Sequence, residues 1–323
     1  MTIFSNTFTR YTAIGLREEL SNTIYNISPE DTPLISSASK GRCKQTLFEW
    51  QTDALGAVDT SNAQLEGDDI ATMPAVTPTV RVGNYAQISR KLVIISGTLD
   101  AVDKAGRNSE LAYQLALRGR ELKRDMESIA LENLAGDAGG TTTARQTAAL
   151  GAWVKTNVDI GASGGNPTYT SGVPSAVRTD GTLRDLTETI MKAVISSGYT
   201  EGAKFNTVMC GPWNKALVST FGGVVTRNFD MSNTSPKPTA IIAAVDVYVS
   251  DFGTLKIIPN RFQRERDVWF LDFEYVAIKH LRPFKTMKLA KTGDAEKRML
   301  LVEWGLQVKQ EAALGLAADC STD

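Results

Sequence analysis

Thr46-Leu47-Phe48-Glu49-Trp50-Gln51-Thr52-Asp53 alternates as a two-sided ribbon does, with Phe48 and Trp50 on one face and Leu47, Glu49 and Gln51 on the other. It reads as an outgoing strand. A return strand is expected over residues 80–95, where Val80, Val82 and Ile88 share one parity and Arg81, Gln87, Ser89 and Lys91 the other. The tip between them, residues 56–78, holds Glu66-Gly67-Asp68-Asp69, Pro74 and Pro78 without aliphatic periodicity, so it has too little apolar surface to fold by itself. At strand rise, an arm of about a dozen residues reaches roughly 40 Å from its base. An isolated two-stranded ribbon is marginal in water, so this one is expected to rest on something else. Two readings compete: a disordered surface loop, and an arm that lies on a neighbouring subunit.

Downstream, Ser109 suits a helix N-cap, Glu110 occupies the first turn where the dipole favours it, and Gly136 supplies a C-terminal stop. Leu111, Leu115, Leu122, Met126, Ile129 and Ala130 keep helical spacing, while Glu121 with Arg124 and Lys123 with Glu127 are expected to pair on the exposed side. The result is a rod of about 27 residues and roughly 40 Å. By itself it also suits a long surface helix of an enzyme.

Outward from this centre, residues 16–27 read as a short amphipathic helix. Ser28-Pro29-Glu30-Asp31 reads as the cap, first-position proline and acidic first turn of another. Residues 136–175 are rich in Gly, Thr, Ser and Ala and read as a loop-dominated connection with Trp153-Val154 as the buried anchor. Thr182 with Asp185 is expected to open a helix carrying Leu183, Leu186, Ile190, Ala193 and Val194 on one face, closed by Gly198. A buried strand over 205–210 then meets Pro212 at the start of a further helix. Val245, Val247 and Val249 alternate before the turn at Asp251-Phe252-Gly253, Leu255, Ile257 and Ile258 continue toward Pro259, and 269–273 with 275–278 read as a strand pair. The last long strand, 299–308, sets Leu300, Val302, Trp304, Leu306 and Val308 on one parity, an apolar face expected to pack beneath the long helix.

Chemistry is sparse. His280 is the single histidine, and there is no phosphate-cradling or dinucleotide glycine motif and no Cys or His pair at zinc spacing. Glu66, Asp68 and Asp69 lack the alternating ligand spacing of a calcium loop. Cys43, Cys210 and Cys320 are odd in number and far apart, which suits free thiols in a reducing compartment. The charge of −1, from 35 basic and 36 acidic residues, provides no cationic excess for counterion-releasing DNA binding. At 323 residues, 42% hydrophobic and 22% charged, the chain has room for a real core and more than one subdomain. No apolar run reaches the roughly 18 residues of a membrane span, and Met1-Thr2-Ile3-Phe4-Ser5 lacks the pattern of a signal peptide.

In order along the chain, Glu49-Trp50-Gln51-Thr52-Asp53, Glu66-Gly67, Asn84-Tyr85-Ala86-Gln87-Ile88, Ser96-Gly97-Thr98, Ala105-Gly106-Arg107 and Ser109-Glu110 form a recurrent vocabulary. In the second half it continues with Ser250-Asp251-Phe252-Gly253, Asn260-Arg261-Phe262, Leu281-Arg282-Pro283 and the run from Leu289-Ala290-Lys291-Thr292-Gly293-Asp294 to Ala295-Glu296-Lys297-Arg298. With these motifs the chain resembles the major capsid proteins of tailed bacteriophages, in the branch typified by the SU10 major capsid protein, over about residues 28–315. The resemblance implies an α+β, HK97-like capsid fold. Its parts fall at 1–40 (N-terminal arm), 41–97 (extended β-hairpin loop), 98–179 (peripheral domain with spine helix), 180–280 (axial domain) and 281–323 (return to the peripheral domain). It implies a non-enzymatic shell subunit that assembles as hexamers and pentamers into an icosahedral head, with a portal, a separately encoded scaffold and packaged double-stranded DNA held by confinement. Assembly in the host cytoplasm and residence in the virion follow, without a membrane partner or cofactor. A nanocompartment shell protein is the alternative on the same fold, and an α/β enzyme the alternative on another. Trp50, Asp53, Glu66, Asp68 and Asp69 on the arm, with Lys291, Asp294, Glu296 and Arg298 at a peripheral corner, are the expected inter-subunit contacts. No catalytic, cofactor-binding or metal residue is assigned.

Overall fold

The computed structural model describes residues 28–67, 76–221 and 246–321. The expected helix over 16–27 and the tip acids Asp68 and Asp69 lie outside the described residues. The chain begins with helix α1 (Pro33–Ser37) and strands β1 (Ser39–Arg42), β2 (Leu47–Thr52), β3 (Val80–Tyr85) and β4 (Gln87–Ser96). Helices α2 (Gly97–Ala101), α3 (Glu110–Leu131) and α4 (Leu150–Trp153) precede three short strands, β5 (Asn157–Asp159), β6 (Thr168–Thr170) and β7 (Val173–Ala176). The second half runs α5 (Glu188–Thr200), β8 (Thr207–Cys210), α6 (Pro212–Val218), β9 (Val247–Ser250), β10 (Gly253–Pro259) and β11 (Val268–Leu271). Long strands β12 (Val276–Lys288) and β13 (Ala295–Val308), then short β14 (Gly315–Ala317), complete it.

Helix α3 starts where the capping residues put it: Ser109 Oγ accepts from Ala112 N at 3.3 Å. It ends at Leu131, short of Gly136, after 22 residues and about 33 Å. The chain must turn there because Gly151 packs against Asn133 so closely that a Cβ would stand 2.8 Å from the Asn133 Cα, and Gly151 N donates to Glu132 O. Leu122, Met126 and Ala130 are buried as their spacing predicts. The expected surface pairs do not form. Glu121 pairs with Arg118, and Arg124 instead lies over the Phe262 ring and donates to Pro29 O at 3.4 Å. Glu127 turns inward and is fully buried, accepting from Leu34 N and Ile35 N at 2.8 Å each and from Asn260 Nδ2 at 2.7 Å. Those two N–H groups open α1, so a carboxylate of one helix satisfies the orphan donors of another. The helix-opening proline is accordingly Pro33, not Pro29.

Beneath α3 lies a four-stranded sheet in the order β1-β12-β13-β4, with β1 parallel to β12 and the other pairs antiparallel. Val302, Trp304, Leu306 and Val308 of β13 form its core face, and Trp304 Nε1 donates to Ser89 Oγ at 3.1 Å. The opposite parity is not wholly outward. Glu303 is buried and ion-paired with Arg145 and Arg282.

The expected return strand over 80–95 is two strands in two sheets: β3 pairs only with β2, and β4 crosses over to β13. Asn84 makes the break. Its Nδ2 donates to Ala148 O and Leu306 O, and its Oδ1 accepts from Tyr85 N and Ala148 N, so every side-chain bonding position is used. The parity shift at Ala86 sends Ser89, Val93 and Ile95 inward and leaves Ile88, Leu92 and Ile94 exposed.

In a six-stranded mixed sheet, ordered β5-β14-β11-β8-β10-β9, the middle strands β14, β11 and β8 are buried on both faces, which is why Val268–Leu271 is apolar without alternation. Met209, Trp269 and Leu316 face the core shared with α3, whereas Val208, Phe270 and Ile257 face α5. Helix α5 begins at its Thr187 cap, five residues beyond the expected Thr182, and Gly198 lies inside it against the Phe205 ring. Residues 136–175 are more than loop: every residue from 147 to 154 is buried, and β5 joins this sheet. The expected pairing of 269–273 with 275–278 does not occur, because β11 belongs to this sheet and β12 to the other. Likewise the end of the chain does not stay with the four-stranded sheet, since β14 pairs with β11 and β5.

Two substitutions weigh this account. Glu127→Ala leaves three buried donors unsatisfied and should cost about 3 kcal/mol or more, read as a fall in the denaturation midpoint. Trp304→Ala should cost about 3 to 5 kcal/mol by opening a cavity under α3, and an unchanged midpoint would remove Trp304 from the core.

Candidate functional site

The arm leaves the body as the β2–β3 ribbon, paired from Leu47↔Tyr85 to Thr52↔Val80. Its base is anchored. Trp50 packs 5.4 Å from the Trp153 ring and 5.9 Å from Phe48, and its Nε1 donates to Lys309 O at 3.2 Å. Of the expected arm contacts, Trp50 is therefore turned onto its own subunit. Beyond the ladder, residues 53–67 and 76–79 carry no helix or strand and are exposed throughout. Leu55, Val58, Leu65 and Val76 are exposed by 100%, 91%, 80% and 93%, so four large apolar side chains on one excursion have no cover among the described residues. Among the described residues Asp53 accepts from the adjacent Ala54 N and Asp59 from Ser61 N two residues on, and Glu66 stands on the exposed turn near the tip.

At the far end of the four-stranded sheet, the β12–β13 connection brings the expected corner residues together. Gly293 takes the left-handed conformation the turn requires (φ 81°), and Gly97 N donates to Asp294 O at 3.1 Å, tying α2 to the turn. Lys291, Asp294 and Glu296 surround a hollow of about 280 Å³ with Asp100, and Arg298 Nε donates to Glu296 at 2.9 Å. The Arg298 hydrogen bonds hold the Glu296 carboxyl below its ordinary range.

A third feature is not legible in sequence, because α1, β1, α3 and β12 contribute to it separately. A cleft of about 500 Å³ has an apolar floor of Ile35, Met126 and Phe284 and a rim of Lys40, Arg42 and Lys123. His280 lines it, half-buried, with burial the main cause lowering its pKa and the Lys40 charge adding to that. Among the described residues no three Cys, His, Asp or Glu side chains are grouped to hold a metal ion. These are surfaces that can bind: exposed apolar side chains, unpaired charges and a charged corner.

Comparison with known proteins agrees with that character. The profile of the SU10 major capsid protein family matches residues 3–321. A major capsid protein of Escherichia phage Phieco32 is 30% identical over 346 residues, covering 96% of each chain. Among solved structures, the capsid asymmetric unit of cyanophage A-1(L) superposes with a TM-score of 0.66 at 14% identity, over 94% of this chain and 97% of that one. An encapsulin complex from Synechococcus elongatus superposes with a TM-score of 0.55 at 10% identity, over 96% and 98%.

The cysteines test the packing around these surfaces. Burial pushes the Cys210 and Cys320 thiols up to about 12, whereas Cys43 is half-buried beside the cleft, its N–H on His280 O. At pH 8 a thiol reagent should modify the folded subunit at Cys43 alone, and Cys43→Ser should abolish the reaction. Modification of Cys210 or Cys320 without unfolding would contradict the buried assignment.

Proposed function

This chain belongs to the SU10 major capsid protein family and carries its HK97-like fold, and on that footing we propose that identical copies assemble as hexamers and pentamers into an icosahedral shell around a phage genome. The observation that carries the reading is the arm: the body has a packed core, while the arm displays apolar side chains that nothing among the described residues covers. Such a contact, donor arm on receptor body, is heterologous and is propagated by rotation into closed capsomers.

In this assembly the four-stranded sheet with α3 serves as the peripheral domain, and the six-stranded sheet with α5 and α6 as the axial domain around the capsomer centre. The corner of Lys291, Asp294, Glu296 and Arg298 meets other capsomers; Asp53 and Glu66, with Asp68 and Asp69 beyond the described part of the arm, meet the adjacent subunit. A portal and a separate scaffold complete the head, formed in the host cytoplasm. The near-neutral charge supports DNA held by confinement. No turnover is involved. A nanocompartment shell is the second reading, supported by the likeness of fold to an encapsulin, and it differs only in what is enclosed.

Replacing residues 56–78 by a short glycine-containing turn should leave the subunit folded by circular dichroism, because the segment adds little to any intramolecular core. Light scattering and microscopy should then find monomers or loose capsomers in place of shells. Normal closed shells from the shortened chain would sink the assembly role of the arm.

A further inference from the structure

The arm leaves the body through two short links, residues 43–46 before β2 and Ala86 after β3, and its ribbon has only two strands. A ribbon so narrow would swivel about its links unless the body held it at more than one point. Trp50 supplies one hold, on its face. The second is on the edge of β3 turned away from β2, where Gly83 N donates to Gly172 O at 3.1 Å. Gly172 stands at the tip of the β6–β7 hairpin. Thr170 and Val173 pair directly there, so Ser171 and Gly172 form a two-residue turn with both residues left-handed (φ 52° and 79°), as in the type I′ turns of tight hairpins. A Cβ on Gly172 would collide with Arg81 O and stand 3.0 Å from Val82 Cα, so the tip lies flush against the ribbon backbone.

The hairpin is itself fastened and does not follow the ribbon. Tyr169 packs edge-on against Trp153 with 5.7 Å between ring centroids, and its hydroxyl donates to Trp153 O. Gly136 N donates to Pro174 O at 2.9 Å, tying β7 to the segment that follows α3. Because Trp50 also packs on Trp153, both holds on the ribbon end in one block of the body. Burial of Val173 and Pro174 accounts for the hairpin's part in the core, but not for a glycine tip laid on β3. We propose that the β6–β7 hairpin is a bracket that aims the arm before assembly, with Gly172 as its positioning residue. Held at two points, the ribbon sends out the stretch that carries Leu55 and Val58 in a fixed direction. The hydrogen bond of 2.7 Å from Arg81 Nε to Glu49, diagonal across the ladder, stiffens it beyond the bracket. The cost of ordering the arm's root is then met when the subunit folds and not when subunits meet. The bracket rests on the assembly reading and directs the arm whatever surface receives it.

Spin labels test the aim. One label sits on native Cys43 in the body and the other on Gln51→Cys near the outer end of the ribbon, and their separation is measured in free subunits by double electron–electron resonance. That chain should give one narrow distance distribution. Adding Gly172→Val should broaden it about twofold or more with the circular dichroism unchanged, and in the unlabelled chain Gly172→Val should cut the yield of closed shells by about tenfold. Gly202→Ala is the control, since Gly202 is also left-handed (φ 88°) but an added Cβ would meet nothing within 4 Å. It carries the backbone strain without the collision and should leave both readings as they were. Should Gly172→Val fail to fold, Gly172→Ala, which brings the same collision with a smaller side chain, takes its place with the same expected results.

An equally narrow distribution with Gly172→Val, or a broad one already without it, would overturn the bracket. A broadened distribution with normal shells would do so too, because the aim would then not matter to assembly. Gly202→Ala reproducing the loss would assign the effect to strain alone and overturn it as well. If shortening residues 56–78 leaves shells intact, the assembly role of the arm falls, whereas the label distances in free subunits still decide whether the hairpin holds the ribbon.

Discussion

One buried carboxylate registers three distant pieces of this subunit. Glu127 has no contact with solvent, and burial pushes its pKa up even though two backbone N–H groups and the Asn260 amide pull against that shift. The carboxylate brings together three pieces of chain: α3, the start of α1 some 93 residues earlier, and the loop at Asn260, 133 residues later. An acid buried among apolar neighbours is tolerated only with its bonding positions filled, so the three pieces must arrive in one geometry. That geometry sets α1 and β1 beside the middle of α3 and so creates the cationic cleft.

A second buried network holds the junction between the two sheets. Arg178 and Asp267, both fully buried, meet at 2.7 Å, while Arg264 reaches Glu132 at the end of α3 and Arg266 reaches Asp319 near the end of the chain. Replacing either member of the buried pair would strand the other without compensation, so the pair specifies the docking of the two sheets more than it stabilises them. With the body fixed at both places, uncovered apolar groups remain on the arm, on the outer sheet face of Ile88, Leu92 and Ile94, and around the β9–β10 edge at Tyr199, Val247, Val249 and Phe252. A subunit that completes its core and leaves chosen surfaces incomplete is suited to contact with copies of itself.

Local rules carried far in this chain. The Ser109 cap, the buried stripe of Leu122, Met126 and Ala130, the apolar parity of β13 and the helix opened by Pro212 all follow from spacing and capping within a few residues. The ordered motifs also sufficed for the family, and Lys291, Asp294, Glu296 and Arg298 meet at one corner because they are neighbours in a single hairpin turn. By contrast, Trp50 belongs to the ribbon pattern, but what it faces is Trp153 and Lys309, which the pattern cannot name.

What the sequence determined by itself is therefore what short-range physics controls: the long helix, the alternating strands, the unsupported acidic arm and the absence of any compact catalytic motif. Tertiary structure alone decided where α3 stops, that residues 80–95 divide between two sheets at Asn84, that Glu127 points inward, and that three separate cations share one cleft. The reason is one of range. Each of those outcomes depends on a hydrogen-bond partner or a close backbone approach supplied from tens to hundreds of residues away, and no local periodicity records which distant group will arrive there.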